Sequence, residues 1–391
     1  LTLPTSIGGW RAGGVQAGGS GATRVLVANY GQDSSFADAK TAATNTDENG
    51  IGNFFYAVPS GFLAVCSSNL PEPTIGPNSD TQADDHFNTV LYTGNATSGR
   101  SISGVGFGPD FVWAKIRVNT YPHFLANSTV GSTKYLNSNN NATEVTDSGY
   151  FTSFDSDGFT IGGSGGINAN GSTFVAWNWL ANNGTTTTND ASSTGIGTID
   201  SVFQANTTAG FSIVTFTGDG NTGASVAHGL GVIPEIILIK NRDETQSWVF
   251  NANLSTKYRM VLDTAGGNAD DFATYMGTQT DDRIVFGGTN HVAWNGSDDK
   301  MLAYCFASVE GYSKMGQYIG NGATSGTAGT YVHLGFRPSF VMLKSTGSGS
   351  WWILDSTRDP FNEALRALQA NDTPVETGYS GNFLDFYSNG F

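Results

Sequence analysis

Apolar residues in this chain fall into short runs broken by Gly, Asn, Asp and Pro, and one run recurs three times. It reads PDFVWAK at 109–115, PEIILIK at 234–240 and PSFVMLK at 338–344, with Pro and Lys six positions apart in each copy. Four apolar residues without polar alternation predict a strand buried on both faces, and proline suits the first residue of a strand. An aromatic-x-Gly-Asn/Asp signature precedes each copy, YTGN at Tyr92, FTGD at Phe216 and YIGN at Tyr318, lying 17, 18 and 20 residues before the proline. Further along, FVAWNWL (174–180) matches MLAYCFA (301–307) position by position. Residues two apart share a strand face, so Trp177 with Trp179, and Tyr304 with Phe306, predict the core side of a closing strand.

Repeats of this length define the domain plan. They place modules at 86–185, 210–310 and 316–391, with the Thr/Asn/Ser-rich stretch at 186–209 as a linker. Each module has room for seven or so short strands between turns, the pattern of a sandwich. The expected fold class is all-β: tandem antiparallel β-sandwich modules of jelly-roll or lectin-like type. One short helix is expected near 360–370, in RDPFNEALRALQAND. There Asp359 is a good N-cap, Pro360 suits the first helical position, and Leu365 and Leu368 lie three apart.

The last residues, LDFYSNGF, are apolar and strand-like. Asn389-Gly390-Phe391 matches Asp157-Gly158-Phe159, with Phe391 53 residues after its module proline and Phe159 50. Module one then continues through residues 160–180, so the third repeat is expected to be incomplete at its C-terminal end. On that reading roughly 20 to 25 further residues, or a strand from another chain, would close its open edge.

Composition sharpens the picture. Gly occurs 52 times in 391 residues, and Asp, Glu, Lys and Arg make only 13%, about half the usual share. Aromatics at 12% supply the means to build a core, unlike a disordered polar chain. The formal charge is −15 with no Lys/Arg cluster, which argues against a nucleic-acid partner. No apolar run reaches the ~18 residues of a membrane helix. The opening LTLPTSIGGW has no signal-like pattern and reads as part of a longer or processed chain. Cys66 and Cys305 read as two small buried thiols rather than a disulfide.

Candidate chemistry is sparse. His86, His123, His228, His291 and His333 are scattered, and no HExxH, GxSxG or phosphate-loop pattern occurs. His228 and His333 lie six and five residues before their module prolines and read as structural. No catalytic residue, metal site or cofactor is expected. Asp155-Ser-Asp157-Gly resembles the start of a calcium loop, but Phe159 and Ile161 stand where later ligands belong, so a turn is the better reading. Glu144 and Glu376 correspond, each eight residues after a leucine, Leu136 and Leu368. Glycan hydrolysis needs two facing carboxylates, so a structural role for these two is preferred. For glycan contacts the candidates are Tyr121, His123, Trp248, Trp351 and Trp352, which follow the three buried runs. Inter-sheet core is the competing reading for these rings.

With these motifs placed, the run GNFFYAVPSGFLAVCSSNLPEPTI (52–75) resembles the closing part of a lectin-like SPRY sandwich in large virion proteins of tailed, often marine, bacteriophages. HFNTVLYTGN (86–95) is similar to the junction that leads from such a domain into a repeated module. PDFVWAK, SDGFTIGG and FVAWNWL resemble that module in order. The resemblance implies that residues 1–85 hold the end of a lectin-like sandwich plus a connector. It further implies a virion protein of tail-fibre or surface-decoration type, on the particle exterior, adhering to the host surface. Other virion proteins, a homo-oligomer (trimer favoured) and a host surface glycan are the implied partners. The alternative is a secreted carbohydrate-binding module or glycan depolymerase.

Overall fold

The computed structural model describes residues 30–36, 38–69, 73–76, 79–254, 257–267, 272–323, 329–378 and 383–391. The chain divides into two compact units, Leu1–Pro73 and Thr74–Phe391. In the first, the Asn45–Phe54 bridge ties a set of turns. The Asp47 carboxylate organises them by accepting from the N–H groups of Asn49, Ile51 and Ala64 and from the Asn69 amide. Residues 1–29, part of the expected lectin-like end, lie outside the described residues.

The second unit carries the repeats and is all-β in character. The first repeat runs through β1 (Phe87–Thr93), β2 (Arg100–Ser103), β3 (Phe111–Ile116), β4 (Phe124–Asn127), β5 (Lys134–Tyr135), β6 (Val145–Thr146), β7 (Phe151–Asp155), β8 (Gly158–Ile161) and β9 (Thr173–Trp179). Its main sheet has the order β1-β9-β3-β4, and β2-β8-β7 form a second, smaller sheet. The last strand therefore inserts between the first and third, and all pairings are antiparallel.

The second repeat continues with β10 (Thr187–Asn189), β11 (Ser201–Asn206), β12 (Phe211–Thr217), β13 (Ser225–Ala227), β14 (Ile236–Asn241), β15 (Val249–Ala252), β16 (Tyr258–Val261), β17 (Arg283–Val285) and β18 (Lys300–Phe306). Here the sheet order is β10-β11-β12-β18-β14-β15-β16, so the insertion of the last strand repeats. Part of the segment expected as a linker is instead sheet: β11 pairs along β12 from Ser201–Phe216 to Asn206–Phe211. β11 is paired on both sides, by β10 and β12, and its mixed sequence SVFQAN, without a clear alternation, hid it.

The third repeat contributes β19 (Phe340–Leu343), β20 (Trp352–Asp355), β21 (Arg366–Gln369) and β22 (Thr377–Gly378), in that spatial order. The helix expected near 360–370 is not formed, because residues 366–369 are strand β21. Consecutive Ala367 and Leu368 are both buried but in different cores, which a strand's alternation allows and a helical face does not. Asp359 serves the strand as well, accepting from the Leu365 and Arg366 N–H groups. The final residues pair with residues 332–334 through the His333–Gly390 bridge and reciprocal Val332–Phe391 bonds, as β8 pairs with β2.

Every main sheet is buried on both sides. In the first repeat Val112, Ala114, Phe174 and Ala176 pack outward against Ile102, Phe159 and Ile161 of the second sheet. The second repeat does the same with Ile237, Ile239 and Ala303 over Val226 and Ile284, and the third with Val341 and Leu354. The alternate residues, Phe111, Trp113, Trp177, Leu238, Tyr304, Ile353 and Leu368 among them, all meet in one common core. Period-2 alternation along strands buried on both faces thus splits each Pro-x-apolar-Lys run between a private core and the shared one. Cys305 is buried on β18 while Cys66, expected buried, is exposed; both thiols are free.

The glycine of the repeated signature has a packing reason. A Cβ on Gly94 would lie 2.1 Å from the Ala169 carbonyl oxygen, and one on Gly218 2.1 Å from that of Gly296, whereas Gly320 has open space. We expect Gly94→Ala and Gly218→Ala each to cost about 1–3 kcal/mol through forced backbone shifts, and Gly320→Ala to be near neutral. Urea unfolding of the three variants checks this, and equal effects at all three positions would refute it.

Candidate functional site

The strand registers align the repeats residue by residue. The pairs Ala114–Phe124, Ile239–Val249 and Leu343–Trp352 are equivalent, so the residues one step earlier, His123, Trp248 and Trp351, occupy one position. Likewise Leu125–Leu136, Phe250–Met260 and Ile353–Leu368 are equivalent pairs, which makes Asn137, Val261 and Gln369 one position.

These two positions meet in a closed cycle. Trp248 Nε1 donates to the Asn137 carbonyl of the first repeat at 2.8 Å, and Trp351 Nε1 to the Val261 carbonyl of the second at 3.0 Å. His123 closes the ring, its Nε2 3.0 Å from the Gln369 carbonyl of the third. His123 Nδ1 accepts from Trp113 Nε1 at 2.9 Å, so the neutral imidazole with its proton on Nε2 satisfies both partners. The three repeats surround an approximate threefold axis, and each sends one ring N–H to its neighbour.

Three of the five candidate glycan contacts are thereby taken off the surface. His123, Trp248 and Trp351 are 0%, 0% and 2% exposed, and a ring sealed between modules offers no face to a sugar. Trp352 is half-buried with its ring 5.3 Å from that of Phe383. Tyr121 alone of the five is exposed.

Charged clasps reinforce two of the joints. Arg242 Nε and Nη2 meet both oxygens of Glu144 at 2.7 and 3.0 Å, joining repeats two and one. Arg117 Nε and Nη2 meet both oxygens of Glu376 at 2.8 Å, joining one and three. Such bidentate pairs fix orientation as well as charge. Burial pushes the Glu376 carboxyl up, but the Arg117 and Arg358 guanidiniums outweigh it and hold it below the usual range. The two corresponding acids, for which a structural role was expected, are thus each tied to an arginine. The arginines left a sequence signal that went unread: KIR at 115–117 and KNR at 240–242 repeat, while the third copy has Thr346.

Beside the second clasp lies a sealed cluster. Asp355 Oδ2 accepts from Trp177 Nε1 at 3.0 Å and from Arg358 Nε at 2.5 Å. Arg358 also reaches Glu376 and the Ile353 carbonyl, and its guanidinium sits 5.5 Å from the Trp177 ring centre. The equivalent contact at the first joint is neutral, Asn127 Nδ2 to the Tyr304 hydroxyl at 3.0 Å. The motif lysines Lys115 and Lys240 are also fully buried. Their ammonium groups donate to main-chain carbonyls, of Ile116 at the end of β3 and of Gln246 and Asn141 respectively, and burial pushes each down to about 8.

Two further carboxylates hold backbone. Asp110 accepts from the N–H groups of Ala181, Asn182, Asn183 and Gly184, closing the end of β9. Asp157 of the calcium-like sequence accepts from Gly104 and Gly106, whose hydrogen bonds hold its carboxyl below the usual range. Among the described residues no cluster of three or more His, Cys, Asp or Glu side chains is placed to hold a metal ion.

The family described as "Domain of unknown function (DUF7483)" matches residues 82–391. The chain belongs to this family. The DUF7483 region begins at the short turn before β1 and takes in all three repeats, so the shared core and the ring of joints lie within it. No curated protein and no solved structure matches the chain.

The DUF7483 ring should respond to acid. Burial, with the Lys115 and Arg358 charges, holds His123 well below its usual value, so the unfolded chain binds a proton first as pH falls. His123 then contributes stability above the unfolded pKa near 6.5 and loses it as pH drops below, at about 1.4 kcal/mol per pH unit. Denaturation midpoints between pH 7 and 5 should show this slope, and His123→Gln should reduce it by one histidine's share. An identical slope in that variant would remove His123 as the cause.

Proposed function

We propose that the chain is a structural component of a tailed-phage virion, of tail-fibre or surface-decoration type, which sits on the particle exterior and adheres to the host surface. The observation that carries this reading is where the ionic chemistry is spent. Glu144, Glu376, Arg117 and Arg242 all bind module to module around one core, and Arg358 braces Glu376 within the third repeat, as suits a rigid spacer or mount. The sequence resemblance to phage virion proteins points the same way. Other virion proteins and further copies of the chain, in a homotrimer, are the partners this role implies, with a glycan as the host contact.

Mass spectrometry of purified particles tests the proposal. Peptides of this chain at stoichiometric copy number, with surface labelling by antibody, are the expected result. Recovery of the chain only from the particle-free supernatant would overturn it and favour the secreted carbohydrate-binding or depolymerase reading.

A further inference from the structure

The first two repeats differ at the outer edge of their main sheets. The pairs Phe87–Trp179 and Phe211–Phe306 are equivalent, so β1 corresponds to β12, with Thr89 at the position of Ile213 and Leu91 at that of Thr215. β12 carries β11 on its outer side, and Gln204 of β11 lies directly opposite Ile213. Gln204 is fully buried, and its Nε2 donates to the Ser128 and Thr129 hydroxyls of the first repeat, both at 2.8 Å. β11 thus fills the space between the edge of one repeat and the turn after β4 of its neighbour.

At the joint between the third and first repeats the same space is open. β1 pairs with β9 alone, and a cleft of about 280 Å³ lies beside it, lined by Gln82, Asp84, Phe87, Thr89, Ser339 and Thr357 among others. The pair Phe340–Asp355 matches Phe111–Asn127, so Thr357 stands where Thr129 stands in the filled joint. The Gly94 N–H donates to the Ser172 carbonyl. By the alternation of an antiparallel ladder, the even-numbered residues of β1 then bond β9, while Phe87, Thr89 and Leu91 turn their backbone groups outward. Leu91 is 41% exposed, and among the described residues nothing pairs with its N–H or C=O. Thr89 is 7% exposed, yet its hydroxyl has no hydrogen-bond partner, an uncommon condition for a buried polar atom. The open stretch is short, because Asn88 Oδ1 holds the Thr89 N–H and Arg100 holds the Thr93 carbonyl.

We propose that the outer edge of β1 is a docking site for one extended segment of a second protein, added antiparallel as β11 is on β12. Unpaired edge groups are a template for such addition. The Thr89 and Leu91 carbonyls and the Leu91 N–H supply its backbone bonds. The segment carries a glutamine opposite Thr89, whose amide nitrogen reaches the Thr357 hydroxyl as Gln204 reaches that of Thr129. Its Oε1 accepts from the Thr89 hydroxyl, a donor that Gln204 lacks opposite Ile213, where Oε1 is without a partner. This chain's own segment of that kind, Ser201–Asn206, is already paired on both sides, so a different protein supplies the strand. The site gives the partner proteins of the role proposed above a mode of attachment, and rests on that reading only for which protein docks.

Fluorescence anisotropy of a dye-labelled peptide with the sequence of residues 199–206, IDSVFQAN, titrated with the purified full chain, tests the inference. Saturable binding is expected, about tenfold weaker when leucine replaces the peptide glutamine and leaves the Thr89 hydroxyl unpaired. Thr89→Val should weaken the glutamine peptide and leave the leucine peptide unchanged, a split that general destabilisation does not produce. Thr357→Trp, at an exposed position on the rim, should fill the cleft and abolish binding while keeping the thermal midpoint. No saturation, or saturation that survives in folded Thr357→Trp, would overturn the site. Self-association of the chain that the peptide competes away in sedimentation would give the edge to a second copy and overturn the choice of a different protein. Binding is read without particles, so this site and particle association can fail separately.

Discussion

Replacing Arg358 with leucine lowers the unfolding free energy by about 3–5 kcal/mol, because it strands a buried carboxylate. Arg358 and Asp355 are each 1% exposed and lie 2.5 Å apart. With the guanidinium gone, Asp355 keeps the Trp177 indole N–H but no positive charge in contact. Glu376 retains Arg117, so the damage concentrates at Asp355 and on the joint between the third and first repeats. The double variant Arg358→Leu, Asp355→Leu should be less destabilised than the single one, since removing both partners avoids the uncompensated charge. Guanidinium chloride unfolding of the three proteins gives the answer. A single variant within about 1 kcal/mol of the parent chain would contradict the burial argument.

Trp248→Ala should be comparably severe, at about 3–5 kcal/mol, since truncating a buried Trp costs both transfer energy and a cavity. Trp248 is fully buried in the shared core, lies 6.2 Å from the Tyr304 ring centre, and supplies the hydrogen bond to Asn137. Truncation empties the core and leaves that carbonyl without its donor. Trp352→Ala, one residue beyond the equivalent position in the third repeat, removes a half-buried ring away from the joints and should cost clearly less. The reverse ranking in urea unfolding would show that the ring of joints is not what holds the repeats together.

Much of the fold was legible because it is written three times. The shared Pro-to-Lys spacing gave β3, β14 and β19, and the double burial of β3 and β14 follows from their unbroken apolar runs. FVAWNWL and MLAYCFA became the strands inserted mid-sheet. The segment 366–369 misled because Asp359 and Pro360 make a plausible helix start, while the pull of two separate cores on Ala367 and Leu368 is not a local property. β11 was missed since SVFQAN has no clear apolar alternation. Of the candidate contacts, the motif offsets did bring His123, Trp248 and Trp351 together, but as seals between repeats.

The sequence by itself determined the class, the threefold repetition and the strands of the repeated motifs, because a period of two and a fixed spacing are local facts about the chain. It also determined which residues each repeat could offer to a neighbour. Only the tertiary structure decided how those offers were used. Nothing local says that three sheets share one core, that His123 lies against Gln369 at a sequence distance of 246, or that Glu376 meets Arg117 at 259. Such contacts depend on how the repeats close around an axis, and that closure is set by the summed packing of their inner faces, which no single segment encodes.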